Sequence, residues 1–127
     1  MNPNETSREK VVDLTLGRTL KTLGFNYPTY TYQVDANNGA IISGDVFNHN
    51  LNPHRVALPS YALVLQWLSE EKGIDVTVRP AYTGEGREFT YTIYTEEYPD
   101  GSEFGEHFAD RDDAMLYGIL KVLKQIM

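Results

Sequence analysis

A chain of 127 residues with 41% hydrophobic residues has the size and composition of a soluble globular protein, and we expect a single domain over residues 1–127. Its 11 Lys and Arg residues against 18 Asp and Glu residues give a formal net charge of −7, which disfavours duplex nucleic acid as a partner because the phosphate backbone is repelled. The absence of cysteine excludes disulfides, thiolate nucleophiles and the common structural zinc sites.

The amino-terminal residues and the apolar segments indicate where the protein is expected to reside. Residues 1–10 are polar and contain no apolar signal-peptide core, and residues 1–8 are expected to be flexible. No apolar run reaches the roughly 20 residues that a transmembrane helix needs. We therefore predict a cytoplasmic protein that has no membrane partner.

The first predicted helix lies in the segment TSREKVVDLTLGRTLKTLGF. Two starts are compatible with this segment. Thr6 and Glu9 have the spacing of a capping box, whereas Thr15 is a rival N-cap because Gly17 weakens a longer helix. In both alternatives the helix ends at Gly24, which is followed by an apolar residue as in a left-handed glycine cap.

A β-hairpin is predicted after this helix. Residues 29–34 alternate between aromatic or apolar and polar side chains, and the pair Asn38 and Gly39 is typical of a tight turn before the apolar residues 40–42. Residues 44–58 are rich in Asn, Pro and His and have no clear period, so we predict a loop there.

The second predicted helix begins near Pro59 and ends at Gly73. Its apolar residues cover more than half of its circumference, and Leu63 and Trp67 form a ridge of their own. We expect a sheet to cover one side of this helix and another helix or a second subunit to cover the other. Core packing is the favoured interpretation of Trp67, with a subunit interface and a ligand platform as alternatives.

A three-strand meander and a final helix complete the chain. Residues 74–79 and 88–95 alternate with a period of two, and residues 103–108 are a candidate third strand. Asp110 is the predicted N-cap of the final helix. The predicted fold is therefore α+β: an antiparallel or mixed sheet, made of the amino-terminal hairpin and the meander, with three helices packed mainly on one face.

No catalytic, cofactor or metal motif is recognisable in the sequence. A hairpin turn explains Gly84 and Gly86, because no phosphate-loop pattern surrounds them. His49 and His54 are five residues apart, which matches no known ligand frame, and His107 is distant from both. We therefore predict no enzyme activity, no cofactor and no metal site.

Aromatic residues are the unusual feature of the predicted surface. The chain has nine tyrosines, and Tyr91 and Tyr94 must lie on opposite faces of their strand, so some hydroxyl groups are expected to face solvent. Exposed tyrosine suits protein recognition because the ring is apolar and the hydroxyl is polar. The candidate interaction surface consists of five residues: Leu63, Trp67, Tyr91, Tyr94 and Tyr98.

Three phrases of the sequence carry a resemblance: LKTLGFNYP, LPSYALVLQWLSEEKGIDVTV and DRDDAMLYGIL. They resemble a family of small uncharacterised proteins from phages, prophages and conjugative elements of gut bacteria of the Bacteroidetes type. The likeness extends from about Leu14 onward, although Ser69 stands where relatives often have a basic residue. The family has no assigned activity, so the resemblance implies a genomic setting and transfers no catalytic residue. The likeness rests on Leu20, Lys21, Leu23, Gly24, Phe25, Pro28, Trp67, Leu68, Glu71, Lys72, Gly73, Ile74 and Ala114.

Two functional hypotheses from different classes follow. The favoured one is a non-enzymatic accessory or interaction protein of a phage or mobile element, acting on an unknown protein partner or as a homodimer through the Trp67 ridge or the tyrosine face. The alternative is a small-ligand or nucleotide-binding protein, for example in phage counter-defence, with a pocket between residues 45–57 and the sheet.

Overall fold

The computed structural model describes residues 10–84 and 86–127, so the expected flexibility of residues 1–8 and the capping box at Thr6 lie outside the described residues. The chain divides into two compact units, Met1–Val64 and Leu65–Met127, whereas a single domain is expected from its length. The described residues form three α-helices and two antiparallel three-stranded sheets, which confirms the α+β fold class. None of the described helices is long and apolar enough to cross a membrane.

The first unit is built around a sheet in which β1 (Thr29–Val34) lies between β2 (Ile41–Phe47) and β3 (Arg55–Ala57). The hairpin of β1 and β2 confirms the predicted one, with Asn38 in the left-handed conformation at φ 56°. The helix α2 begins in this unit and continues into the second. The elements are α1 (Leu14–Thr22), β1 (Thr29–Val34), β2 (Ile41–Phe47), a 3₁₀ helix (His49–Leu51), β3 (Arg55–Ala57) and α2 (Tyr61–Lys72).

The start of α1 differs from the prediction and its end does not. The Asp13 carboxylate accepts a hydrogen bond from the Leu16 N–H at 2.9 Å, so Asp13 is the N-cap and the rival start at Thr15 is wrong. An aspartate placed there satisfies one of the unpaired N–H groups of the first turn. At the other end Gly24 has φ 94° and the Phe25 N–H donates to Leu20 O, which confirms the predicted glycine cap.

The predicted loop over residues 44–58 is wrong in most of its length. Strand β2 continues to Phe47, and the 3₁₀ helix and β3 follow it. The polar residues of this segment act as fixed hydrogen-bonding groups. Asn50 donates to Phe25 O and accepts from the Ala57 N–H, and the Lys21 ammonium donates to the carbonyl groups of Asn52 and Arg55. An Asn-rich and Pro-rich composition therefore encodes an ordered connection here.

The second unit contains the predicted meander of β4 (Asp75–Thr83), β5 (Gly86–Tyr94) and β6 (Ser102–Glu103), in the strand order β4-β5-β6. The third strand differs from the predicted residues 103–108: Glu103 belongs to β6 and Phe108 forms an isolated bridge to Phe89, while Gly105, with φ 69°, interrupts the extended backbone between them. The hairpin and the meander lie in separate sheets where one sheet was expected, because β3 occupies the second edge of β1. Asp110 caps the last helix by accepting from the Asp112 N–H, as predicted. The elements are β4 (Asp75–Thr83), β5 (Gly86–Tyr94), β6 (Ser102–Glu103) and α3 (Arg111–Ile126).

Two glycines allow helices to approach strands closely. A Cβ atom at Gly17 in α1 would lie 2.9 Å from Val56 Cγ1, and a Cβ atom at Gly118 in α3 would lie 2.9 Å from Val76 Cγ1. Both distances are too short for a real carbon contact. The glycine that weakens helix propensity in α1 is therefore a packing residue that lets the helix contact β3.

Candidate functional site

The five surface residues predicted from sequence fall into two groups. Leu63, Trp67 and Tyr91 are buried, with Trp67 only 1% exposed, whereas Tyr94 is half-buried and Tyr98 is exposed. The burial agrees with the core-packing interpretation of Trp67. It also corrects the surface hypothesis for the first three residues, because side chains that are already removed from water offer no area to a partner.

Tyr91 has a structural role in the second unit. Its hydroxyl donates a hydrogen bond to Glu106 Oε1 at 2.7 Å, and its ring stacks on Phe108 with a centroid distance of 6.2 Å. Burial, followed by the hydrogen bond and the negative charge of Glu106, raises the pKa of Tyr91 well above its usual value. Tyr91 therefore stays neutral and keeps donating at any physiological pH.

We expect the stability contribution of Tyr91 to be lost at alkaline pH. The contribution of Tyr91 to the free energy of unfolding is complete below the usual tyrosine pKa of about 10. Above that pH it falls by up to about 1.4 kcal/mol per pH unit, because the tyrosine ionises in the unfolded chain before it ionises in the folded one. Urea unfolding of the wild type and of Tyr91→Phe between pH 8 and pH 11.5 measures this. The stability advantage of the wild type should be about 1 kcal/mol near pH 8 and should shrink as the pH rises. An advantage that stays constant or grows would contradict the assignment.

Large apolar side chains are exposed on the outer strand β2 of the first sheet. Ile41 is 64% exposed, Ile42 is 41% exposed and Phe47 is 51% exposed. Leu51, on the following 3₁₀ helix, is exposed as well. Single exposed apolar residues are ordinary, but several of them along one strand edge are typical of an interaction surface. We call the segment Ile41–Phe47, with its exposed side chains Ile41, Ile42 and Phe47, the β2 edge.

The backbone of the β2 edge is oriented to accept another strand. Val34 N–H donates to Ala40 O at 2.9 Å, and Tyr32 pairs with Ile42 two residues further along the same ladder. The direction of the backbone hydrogen-bonding groups alternates along an antiparallel ladder. The N–H and C=O groups of Ile42 therefore point toward β1, whereas those of Ile41 and Ser43 point away from it. Residues 41–43 therefore present a short row of outward backbone donors and acceptors.

A bulge ends this regular segment. Thr31 pairs with Ser43 while Thr29 pairs with Phe47, so β2 contains two more residues than β1 between these positions. Gly44 lies in the bulge with φ 133°. A bulge interrupts the ladder and bends the strand, so the regular pairing edge is confined to residues 41–43.

A buried histidine supports the far end of β2. The His49 ring lies on Tyr32 with a centroid distance of 4.3 Å and contacts the edge of Phe47 at 5.7 Å. His49 Nε2 lies 2.9 Å from Asp45 O, and Nδ1 lies 3.5 Å from an Arg55 nitrogen, so the proton belongs on Nε2. From the sequence, His49 was considered only as a candidate metal ligand. The surrounding aromatic residues were the available signal for a packed imidazole.

A second candidate surface is an open cleft of 690 Å³ in the second unit. It includes Tyr98, one of the residues predicted from sequence, whereas the half-buried Tyr94 packs against Gly101 outside the lining. Its floor is apolar and its rim carries charged side chains. The lining residues are Lys72, Gly73, Ile74, Ile93, Thr95, Glu96, Glu97, Tyr98, Ser102, Phe104, Gln125 and Ile126.

The three histidines do not assemble into a metal centre in the part of the chain that the structure describes. No group of three or more His, Asp or Glu side chains there could hold a metal ion. His49 is committed to its buried hydrogen bonds, and His107 Nδ1 lies 3.7 Å from Glu88 Oε1. In comparisons with known proteins, no family model, no curated protein and no solved structure matches this chain.

Proposed function

We propose that the protein is a non-enzymatic interaction protein that self-associates through the β2 edge. In this arrangement residues 41–43 pair antiparallel with the same residues of a second copy. The observation that supports the proposal is the exposure of Ile41 and Ile42, 64% and 41%, on an outer strand with outward backbone groups. Strand addition at a sheet edge is a common mode of protein recognition because main-chain hydrogen bonds supply the affinity.

The β2 edge is self-complementary when a two-fold axis passes through Ile42. Ile41 then lies opposite Ser43 of the second copy, so each outward N–H meets an outward C=O and four hydrogen bonds form. The two Ile42 residues face each other as a non-hydrogen-bonded pair, in which side chains come closest. Asp45 is the one charged residue of β2 and lies outside the paired segment, so no like charges face each other.

The bulge after Ser43 keeps the paired segment short. We therefore propose a weak dimer that exchanges with the monomer, because small interfaces are typical of transient association. An accessory role in a phage or mobile element is the setting that the sequence resemblance implies, and a weak dimer suits such a role.

Nucleotide binding is not proposed for residues 45–57. The alternative hypothesis needs a pocket between this segment and the sheet, but Arg55–Ala57 is itself a strand of the sheet. His49 from the same segment packs against Tyr32. We therefore place no ligand site between this segment and the sheet.

Substitution of Ile41 by lysine is expected to abolish self-association. A lysine on an outer strand opposes pairing because its charge must remain solvated. Light scattering after size exclusion should give a wild-type mass that rises with concentration toward twice the chain mass of 14.4 kDa. The Ile41→Lys variant should stay at the mass of one chain at every concentration.

Tyr82→Lys is the matched control for this experiment. Tyr82 is 78% exposed on β4, which is the outer strand of the other sheet, so the same charge is introduced on an equally accessible edge. The control should dimerise like the wild type, and both variants should fold, since each replaces an exposed side chain. A wild type that is monomeric at the highest soluble concentration, or equal loss of the dimer in both variants, would refute the proposal.

A further inference from the structure

Two helices end at the cleft of the second unit. Lys72 and Gly73 lie at the end of α2 and Ile126 is the last residue of α3, and all three line the cleft. The Ile74 N–H satisfies one α2 carbonyl, that of Leu68, at 3.1 Å. The last carbonyl groups of a helix otherwise lack intrahelical partners and place about half a negative charge at its end. The two helix ends therefore make the electrostatic potential in the cleft negative.

Two glutamates add to this negative potential. Glu96 and Glu97 are exposed in the turn after β5, and no other described residue forms a hydrogen bond or ion pair with their carboxylates. The turn itself is fixed, because the Tyr98 N–H donates to Thr95 Oγ1 at 3.0 Å and the Thr95 N–H donates to Tyr98 O. Both carboxylates are therefore held at the rim without a cation of their own.

Lys72 is the basic residue of the lining, and it only partly offsets these charges. Its ammonium nitrogen lies 5.3 Å from the centroid of the Trp67 ring, which is a cation–π contact. Two carboxylates, one ammonium and two helix ends give the lining a charge of about −2. The Lys121 ammonium, which lies 4.8 Å from the centroid of the Phe104 ring, reduces the net charge at the cleft to about −1. An anionic ligand such as a nucleotide is repelled by this charge, and a cationic one is attracted.

The floor of the cleft is apolar, so a ligand that fits the cleft must also present apolar surface. Ile74 and Ile93 are buried beneath it, and the rings of Phe104 and Tyr98 also contribute to the lining. The volume of 690 Å³ lies within the range of about 300–1,000 Å³ found for ligand sites. A bare metal ion or a fully polar cation leaves this apolar surface exposed to water. A ligand with both a positive charge and large apolar groups covers it.

We infer that the cleft binds a peptide segment of another protein in which Lys or Arg stands beside large apolar side chains. The apolar side chains cover the floor, and the cationic groups meet Glu96, Glu97 and the negative ends of the two helices. The open side of the cleft lets the peptide backbone remain in solvent. All lining residues lie between 72 and 126, so this inference does not rest on the β2 edge.

The test uses three fluorescein-labelled hexapeptides and anisotropy titrations with the full chain. The first peptide alternates Lys with Leu, the second alternates Glu with Leu, and the third alternates Lys with Ser. The Lys-Leu peptide should bind, the Glu-Leu peptide should not bind up to about 1 mM, and the Lys-Ser peptide should bind at least about tenfold more weakly. Equal binding of the Lys-Leu and Lys-Ser peptides would overturn the inference, because the apolar floor would then contribute nothing.

Two double variants separate this site from general attraction to an acidic protein. Glu96→Gln with Glu97→Gln should weaken binding of the Lys-Leu peptide by about tenfold or more, which corresponds to about 1.4 kcal/mol. Glu70→Gln with Glu71→Gln is the matched control, because these adjacent exposed glutamates on α2 lie outside the lining. The control should change the dissociation constant by less than about twofold.

Three further results would overturn the inference. One is equal weakening by the two double variants, which would indicate non-specific charge attraction. Another is no binding of the Lys-Leu peptide up to about 1 mM. The third is displacement of the bound peptide by spermidine at the peptide's own concentration, which would indicate a site for small cations. Because Ile41→Lys leaves the cleft intact, it should bind the peptide like the wild type, so failure at one surface is distinguishable from failure at the other.

Discussion

Replacement of Trp67 by alanine is expected to lower the free energy of unfolding by about 3–5 kcal/mol, the usual cost of removing a large buried aromatic side chain. Trp67 is 1% exposed, and its indole is among the largest fully buried side chains of the chain. Alanine in its place loses the transfer free energy of the ring and leaves a cavity. Since most single domains have about 5–15 kcal/mol of stability, this loss is a large fraction of the total.

The measurement is urea unfolding followed by far-ultraviolet circular dichroism, because Trp67 is the single tryptophan and its fluorescence is lost in the variant. Trp67→Phe retains an aromatic ring in the same place and should lose less stability than Trp67→Ala. Tyr82→Ala, at a 78% exposed position, should stay within about 0.5 kcal/mol of the wild type. A loss below about 1 kcal/mol for Trp67→Ala would show that packing of the indole contributes little to the free energy of unfolding.

Substitution of Gly17 by valine is expected to destabilise the chain by about 3 kcal/mol. A Cβ atom there would lie 2.9 Å from Val56 Cγ1 and 3.0 Å from the backbone oxygen of Ala57. A strand carbonyl cannot rotate away as a flexible side chain can, so α1 and β3 must separate. Valine adds two further methyl groups in the same space and gains little helix propensity in return.

A graded series checks this explanation. Gly17→Ala gains up to about 1 kcal/mol from helix propensity and still has to accommodate the Cβ atom, so its net loss should be near 1 kcal/mol. Gly84→Ala is the control, because a Cβ atom at Gly84 meets nothing within 4 Å and its backbone is outside the left-handed region. We expect the urea midpoint to be highest for Gly84→Ala, lower for Gly17→Ala and lowest for Gly17→Val. A wild-type midpoint for Gly17→Val would contradict the close packing of α1 on β3.

Periodicity and turn chemistry were sufficient to locate most elements. The hairpin, α2, β4, β5 and α3 lie where their sequence patterns place them, because each combines a regular apolar repeat with a clear boundary residue such as Gly73 or Asp110. The segment from Gly44 to Leu58 lacked such a repeat. Its order comes from non-local hydrogen bonds, such as that from Asn50 to Phe25 O, which join residues far apart in sequence.

Strand composition could not decide which residues would reach the surface. Tyr91 and Tyr94 both read as candidate surface residues, but Tyr91 is buried against α3 and the following loop, and Tyr94 is half-buried. Conversely, Ile41 and Ile42 were not singled out as surface residues from the sequence, and both are exposed. Burial depends on what packs on each face of a strand, and that follows from tertiary structure rather than from local alternation.

The cleft illustrates the same limit. Adjacent glutamates such as Glu96 and Glu97 usually indicate only a solvated turn. Their placement beside the ends of α2 and α3 depends on helices that are distant from them in sequence. The apolar lining from Ile74, Ile93 and Phe104 is assembled in the same way. Tyr98, which was named from the sequence as a candidate surface residue, is exposed and lines the cleft.

Residue-resolved amide hydrogen exchange as a function of protein concentration tests the self-association through β2 most directly. We expect the Ile41 and Ser43 amides to exchange more slowly as the concentration rises, because their N–H groups become bonded to the second copy. The Ile42 amide, which faces β1, and the amides of β4 should exchange at rates that do not depend on concentration. If exchange at Ile41 and Ser43 is equally fast in dilute and concentrated samples, the β2 edge is not the surface through which two copies of this protein associate.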